Sequence, residues 1–181
     1  MNLRAVCFLF FLAGLVPPAA AQAAMDVGIE FQIYPTGILP GVRLSRDFGA
    51  RHAVHVRLGA NIFNHRDWGK HPEEKGSGWG GTLGYRHYFR DGYQGLFAGL
   101  RADVWRNTVQ WKRDVPAGAG TSRIVVWQPT AEAGYAFVSG RLVLAPALAF
   151  GAEFNVVTDG EPTGEGLILL GGVTVAYRFG R

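Results

Sequence analysis

The chain of 181 residues is 48% hydrophobic and 13% aromatic, with 26 glycines and a formal net charge of +4. So mild a basic balance argues against a nucleic-acid partner. The single cysteine, Cys7, falls in a segment expected to be removed, so no disulfide and no cysteine-based metal site is expected, and the chain is read as needing no metal and no cofactor.

The first element reads as a secretory signal over residues 1–23. Arg4 gives a short basic region, and an apolar run follows from Val6 to Val16. Pro17 and Pro18 end it, and Ala21-Gln22-Ala23 has the small-x-small form of a cleavage site, with Ala21 as the alternative position. The run is shorter than the roughly 20 residues a membrane helix needs. Residues 24–181 then make one domain, and within it apolar residues recur at every second position.

Eight such segments follow. Val27, Ile29, Phe31 and Ile33 alternate with Gly28, Glu30, Gln32 and Tyr34, and Val42 and Leu44 flank Arg43. Val54, Val56, Leu58, Ala60 and Ile62 oppose His55, Arg57, Gly59 and Asn61. In the fourth, Trp79, Leu83, Tyr85 and Phe89 oppose Thr82, Gly84 and Arg86. In the fifth, Leu96, Leu100 and Val104 oppose Gly99, Arg101 and Asp103. The sixth sets Val125, Trp127, Ala131, Tyr135 and Phe137 against Gln128, Thr130, Glu132 and Gly134. The seventh sets Leu142, Leu144, Leu148, Phe150 and Phe154 against Ala145, Ala147, Ala149 and Glu153. The eighth runs Val173, Val175, Tyr177, Phe179 against Thr174, Ala176 and Arg178. Strands of about ten residues are the length a tilted membrane strand needs.

Connections after the second, fourth and sixth segments are tight, whereas those after the third, fifth and seventh are long and polar. Short turns at one end and long loops at the other predict an all-β, eight-stranded antiparallel up-and-down transmembrane barrel. The face opposite the apolar one collects Glu30, Arg43, Arg57, Arg86, Arg101, Asp103, Glu132, Glu153 and Arg178. Five arginines and four acids suit a mutually paired lumen, and Gly59, Gly84, Gly99 and Gly134 on the same face leave them room. Trp79, Trp105 and Trp127 fall toward the long-loop ends, with Trp68 and Trp111 in the loops. Phe48, Tyr88, Phe89, Tyr93, Tyr135, Phe137, Tyr177 and Phe179 gather near the tight turns. Two such belts are expected at two lipid–water interfaces.

On these features the chain resembles the small eight-stranded outer-membrane β-barrels of Gram-negative bacteria. The resemblance implies that Val173, Val175, Tyr177 and Phe179 serve as the assembly signal read by the barrel-assembly machinery, although Gly180 and Arg181 follow it. Pro129 and Pro146 interrupt the sixth and seventh strands. The stretch Pro129 to Pro146 is similar to one in the lipid A palmitoyltransferase family, where prolines on adjacent strands open a lateral gap for a lipid chain. A two-residue turn at Ser139-Gly140 would face both prolines away from their shared seam, and one residue more would face them into it. Tolerated bulges are the preferred reading.

The residues that would carry lipid chemistry are incomplete. Asp103 is followed by Val104 where the palmitoyltransferase family needs serine, and the His-x-Ser of the deacylase does not occur. The long loop after the third segment holds His65, Asp67, His71, Glu73, Glu74 and Ser77, a composition that a solvated loop also has. The sequence therefore predicts a monomeric outer-membrane barrel without catalytic residues, whose loops meet an unknown extracellular ligand and whose filled lumen is no porin-like channel. A lipid A-modifying acyl-chain enzyme is the alternative, and a soluble periplasmic barrel holding a small apolar ligand is a further one.

Overall fold

The computed structural model describes residues 24–65, 71–114 and 116–180. The expected signal (1–23), Asp67, Trp68, Arg181 and the side chain of His65 lie outside the described residues.

Eight strands follow in order: β1 Met25–Tyr34, β2 Gly37–Phe48, β3 His52–His65, β4 Glu73–Tyr88, β5 Gly95–Arg113, β6 Gly118–Ser139, β7 Leu142–Asp159 and β8 Gly166–Phe179. Each pairs antiparallel with its predecessor, and β1 closes on β8 from Met25 opposite Phe179 to Ile33 opposite Gly171. Closure leaves no strand edge unpaired. The tight turns use glycine where the chain needs a left-handed residue, at Gly49 (φ 65°) and Gly140 (φ 58°).

Alternation sorts every strand into two faces. In β3, Arg57 is 1% exposed and its neighbour Leu58 is 67% exposed. In β5, Arg101 and Leu100 divide in the same way. The outer surface is thus continuously apolar around the wall, with Ile29, Val42, Leu58, Leu83, Leu100 and Leu148 all exposed. The interior has three levels. Leu39, Phe63, Trp105, Val109, Ile124, Val126, Ile168 and Leu170 pack at the long-strand end. Tyr88, Tyr93, Phe97, Ala136 and Ala145 pack at the tight-turn end. Charged side chains fill the level between them.

Three expectations need correction. β4 to β7 run 16, 19, 22 and 18 residues, not about ten. Most of the long polar "loops" continue the ladder as hairpins, because Thr, Val and Trp in them keep alternating, so only residues 66–72, 114–117 and 160–165 connect the tall strands. Trp111 therefore belongs to β5. Finally, position along the chain misplaced four aromatics: strand parity turns Trp105, Trp111 and Tyr88 inward, Tyr93 folds in from the β4–β5 turn, and all four are buried. Outward rings include Trp79, Trp127 and Phe154 at one end and Phe48, Tyr85, Phe89, Tyr135, Phe137, Tyr177 and Phe179 at the other, and Phe31 and Phe150 are exposed on the same outer face.

Candidate functional site in the lumen and its mouth

The lumen carries a branched ion network. Arg43 Nη1 donates to Glu30 Oε2 at 2.5 Å, and Arg57 and Arg101 reach Glu30 Oε1 at 3.2 and 3.3 Å. The same two arginines converge on Asp103 Oδ1, at 3.2 and 3.1 Å. Arg86 binds Glu132 with two parallel bonds of 2.6 and 2.9 Å, the planar fork geometry that suits carboxylates. Neutral groups complete the set: Gln32 accepts from Arg57 and Arg101, Thr82 bonds Asp103, and Thr174 donates to Glu30. Arg57 and Arg86 also lie against Trp105 and Phe97, so the network is capped by rings above and below.

Eight of the nine expected lumen charges therefore face inward in these contacts, and Arg178 among them bonds a residue the expectation omitted. Its partner is Asp26, which shares the inward parity of Gly28 and Glu30 and was readable on that ground. Glu153 stands apart, at the outer mouth beside Tyr34, Asn61 and Asn155. His55 is buried against Gly84 with neither ring nitrogen partnered, a helper of packing that the charge pattern did not flag.

At the mouth, side chains from separate segments are tied together. His71, before β4, meets Glu74 at 2.6 Å through Nδ1 and Glu161, from the β7–β8 connection, at 3.3 Å through Nε2. The imidazole stacks on Trp111 at 4.8 Å, and Trp111 donates to Ser122 Oγ, which donates to the Glu161 carbonyl. Arg113 holds the Glu161 carboxylate at 3.1 Å. Of the loop residues considered for chemistry, His71 and Glu74 come together. Ser77 lies on the outer face of β4, on the other side of the wall from both. Glu73 points outward as well, and hydrogen bonds from Lys112 and Lys75 hold its carboxyl down to about 2.

The turn between β6 and β7 is residues 140–141, closed by Ser139 opposite Leu142. The β6–β7 pairing lapses twice, at residues 128–129 facing 152–153 and at 135–136 facing 145–146, while Pro129 and Pro146 keep register with Ala102 and Val173 on their other sides. Both prolines thus face the shared seam. Pro40 does the same on the β2–β3 seam, where pairing skips from Ile38 to Gly41. Behind these lapses the lumen is filled. The mouth cavity measures about 50 Å³, far below the roughly 300 Å³ at which small-molecule sites begin.

No protein-family model and no curated protein sequence matches the chain. Solved structures do. The N-terminal β-barrel domain of Pseudomonas aeruginosa OprF superposes with a TM-score of 0.51 at 12% identity, over 87% of this chain and 98% of that one. Ail, the attachment invasion locus protein of Yersinia pestis, solved in complex with the heparin analogue sucrose octasulfate, gives 0.52 at 6% identity, over 87% and 97%. The fold is that of the small eight-stranded outer-membrane barrels.

In that fold β8 is the closing strand. Val175, Tyr177 and Phe179 point outward from it, with the rings of Tyr177 and Phe179 in edge contact at 4.8 Å. Val173 lies opposite both Pro146 and Phe31.

Proposed function

We propose that the chain is a monomeric integral outer-membrane barrel with a structural or surface-interaction role and no enzymatic activity. One observation carries this reading: the wall is inverted relative to a soluble barrel, with ion pairs inside and large apolar side chains, aliphatic or aromatic, outside on all eight strands. Burying the charges in this way is stable only because each is paired, and exposing the apolar face is stable only in lipid. Assembly through Val173, Val175, Tyr177 and Phe179 by the barrel-assembly machinery belongs to the same proposal, as does export by residues 1–23.

The test is heat-modifiable migration. Detergent-extracted protein should run as a compact band unheated and shift on boiling, and it should stay with membranes through a carbonate wash. Release as a soluble protein would favour a periplasmic carrier instead. The lapsed β6–β7 pairing is the single observation favouring an acyl-chain enzyme with lateral access, and the filled lumen behind it speaks against that alternative.

A further inference from the structure

On the outside of β4, β5 and β6, the lipid-facing apolar rows continue without interruption into a basic surface. In register, Gly81, Val104 and Trp127 form one row, and Trp79, Arg106 and Val125 form the next. Beyond them lie Ser77, Thr108 and Arg123, then Lys75, Gln110 and Thr121, then Glu73, Lys112 and Ala119. Rows two residues apart point to the same side of a sheet. Arg106 to Lys112 therefore covers about 20 Å of strand rising from the aromatic belt. Lys75, Gln110, Lys112 and Thr121 border a recess of about 430 Å³.

The charge on this surface is net positive, with Lys75, Arg106, Lys112 and Arg123 set against Glu73 and Asp159. Lys75 and Lys112 share one carboxylate, Glu73, at 2.5 and 2.7 Å, and Arg123 lies 3.9 Å from Asp159 with both groups well exposed. Among the described residues Arg106 has no ion-pair partner, although it stands directly between Trp79 and Val125. A cation beside the apolar belt, with a second one row above, is placed where the headgroups of the outer leaflet begin.

We propose that this surface docks a phosphorylated glycolipid of the outer leaflet. Its phosphates meet Arg106 and Arg123, its sugar lies toward the recess, and its acyl chains lie on Trp79, Val104 and Trp127. The inference rests on the proposed membrane position and adds the partner. Continuity of the two characters on one face selects an amphiphile over a soluble polyanion, since a soluble ligand would leave the adjoining apolar rows unused. Guanidinium forks match phosphate oxygens in pairs, which gives the arginines the leading part over the two lysines already committed to Glu73.

The full chain, expressed in a Gram-negative host and extracted in detergent, is exchanged into nanodiscs of zwitterionic lipid containing diphosphorylated lipid A or its dephosphorylated form. Glycolipid retained per barrel is then counted by native mass spectrometry. The wild type should retain the diphosphorylated form in preference. The Arg106→Gln/Arg123→Gln double variant should lose about thirtyfold in affinity, the order that two surface cations contribute against anionic lipid. Arg46→Gln, on the outer face at the tight-turn end, should change nothing. Equal retention of both lipids, or equal retention by wild type and double variant, overturns the proposal. So does a heparin-binding activity that depends on the two arginines while lipid preference is absent. A heat-modifiable band from every variant separates these failures from failure of the barrel itself, whose absence in the wild type would sink both readings.

Discussion

Asp26 and Arg178 face one another across the seam that closes the barrel, and Arg178 donates through Nε and Nη2 to the two carboxylate oxygens at 2.7 Å each. Arg57 with Glu30 and Arg86 with Glu132 join strands that are not neighbours, whereas this pair joins register partners on the first and last strands. Arg178 also donates to the Gly92 carbonyl and lies over the Tyr93 ring, so the seam is tied to the β4–β5 turn. Asp26→Asn or Arg178→Met should each destabilise the barrel by about 3–5 kcal/mol, because each leaves a buried charge without its counter-charge. The Asp26→Leu/Arg178→Met pair should recover most of that loss. Urea titration in detergent micelles checks both, and equal losses in the single and double variants would mean that the pair contributes by packing rather than by charge.

The wall itself was legible in the sequence because period-two alternation is a property of single residues: knowing that Leu100 faces one way settles Arg101. Partner choice was not legible. Arg86 with Glu132 and Arg57 with Asp103 are separated by 46 residues each, and only the register of intervening strands brings them together. Strand length failed for a different reason. Thr108, Gln110 and Lys112 look like loop composition, yet a hairpin standing above a membrane has water on its outer face and needs no apolar residue there. The mouth clasp of His71, Trp111 and Glu161 was hidden as well, since each of the three falls in a different long polar connection and only the fold brings those connections together.

Outward residues should tolerate charge according to depth. Leu100→Arg, midway between the outward Leu96 and Val104 in the apolar part of β5, should cost about 2–4 kcal/mol in a lipid-vesicle folding titration. Thr108→Arg, eight residues along the same face of β5 and beyond the aromatic belt, should cost at most about 1 kcal/mol. If the two substitutions are equally mild, the apolar face is not in lipid and the soluble-barrel reading gains.

The direction of insertion follows from the contrast in the connections. A cysteine at Ala117, in the exposed β5–β6 turn, should react with an impermeant maleimide on intact cells. One at Gln94, in the exposed β4–β5 turn, should react only after the outer membrane is opened. Tight turns cross the bilayer during insertion and tall polar hairpins do not. The reverse labelling pattern would turn the whole barrel over, and with it the surface that carries Arg106 and Arg123.

Lipid A from cells overexpressing the protein should show an unchanged mass profile. Chemistry on an acyl chain needs a chain-sized cavity, a nucleophile, and a base free to take its proton. The mouth cavity of about 50 Å³ meets none of the first requirement. His71 is engaged through both ring nitrogens with Glu74 and Glu161 and stacked on Trp111, while Ser77 points away on the outer face of β4. The prolines weaken one seam, but Pro40 weakens another in the same way, so lapsed pairing is a general feature of this wall and not a mark of a gate. Gain or loss of one acyl chain that vanishes in His71→Ala would reverse the choice between scaffold and enzyme. A mass change abolished by Pro129→Ala and indifferent to His71→Ala would locate lipid access at the β6–β7 seam and place the reacting groups elsewhere.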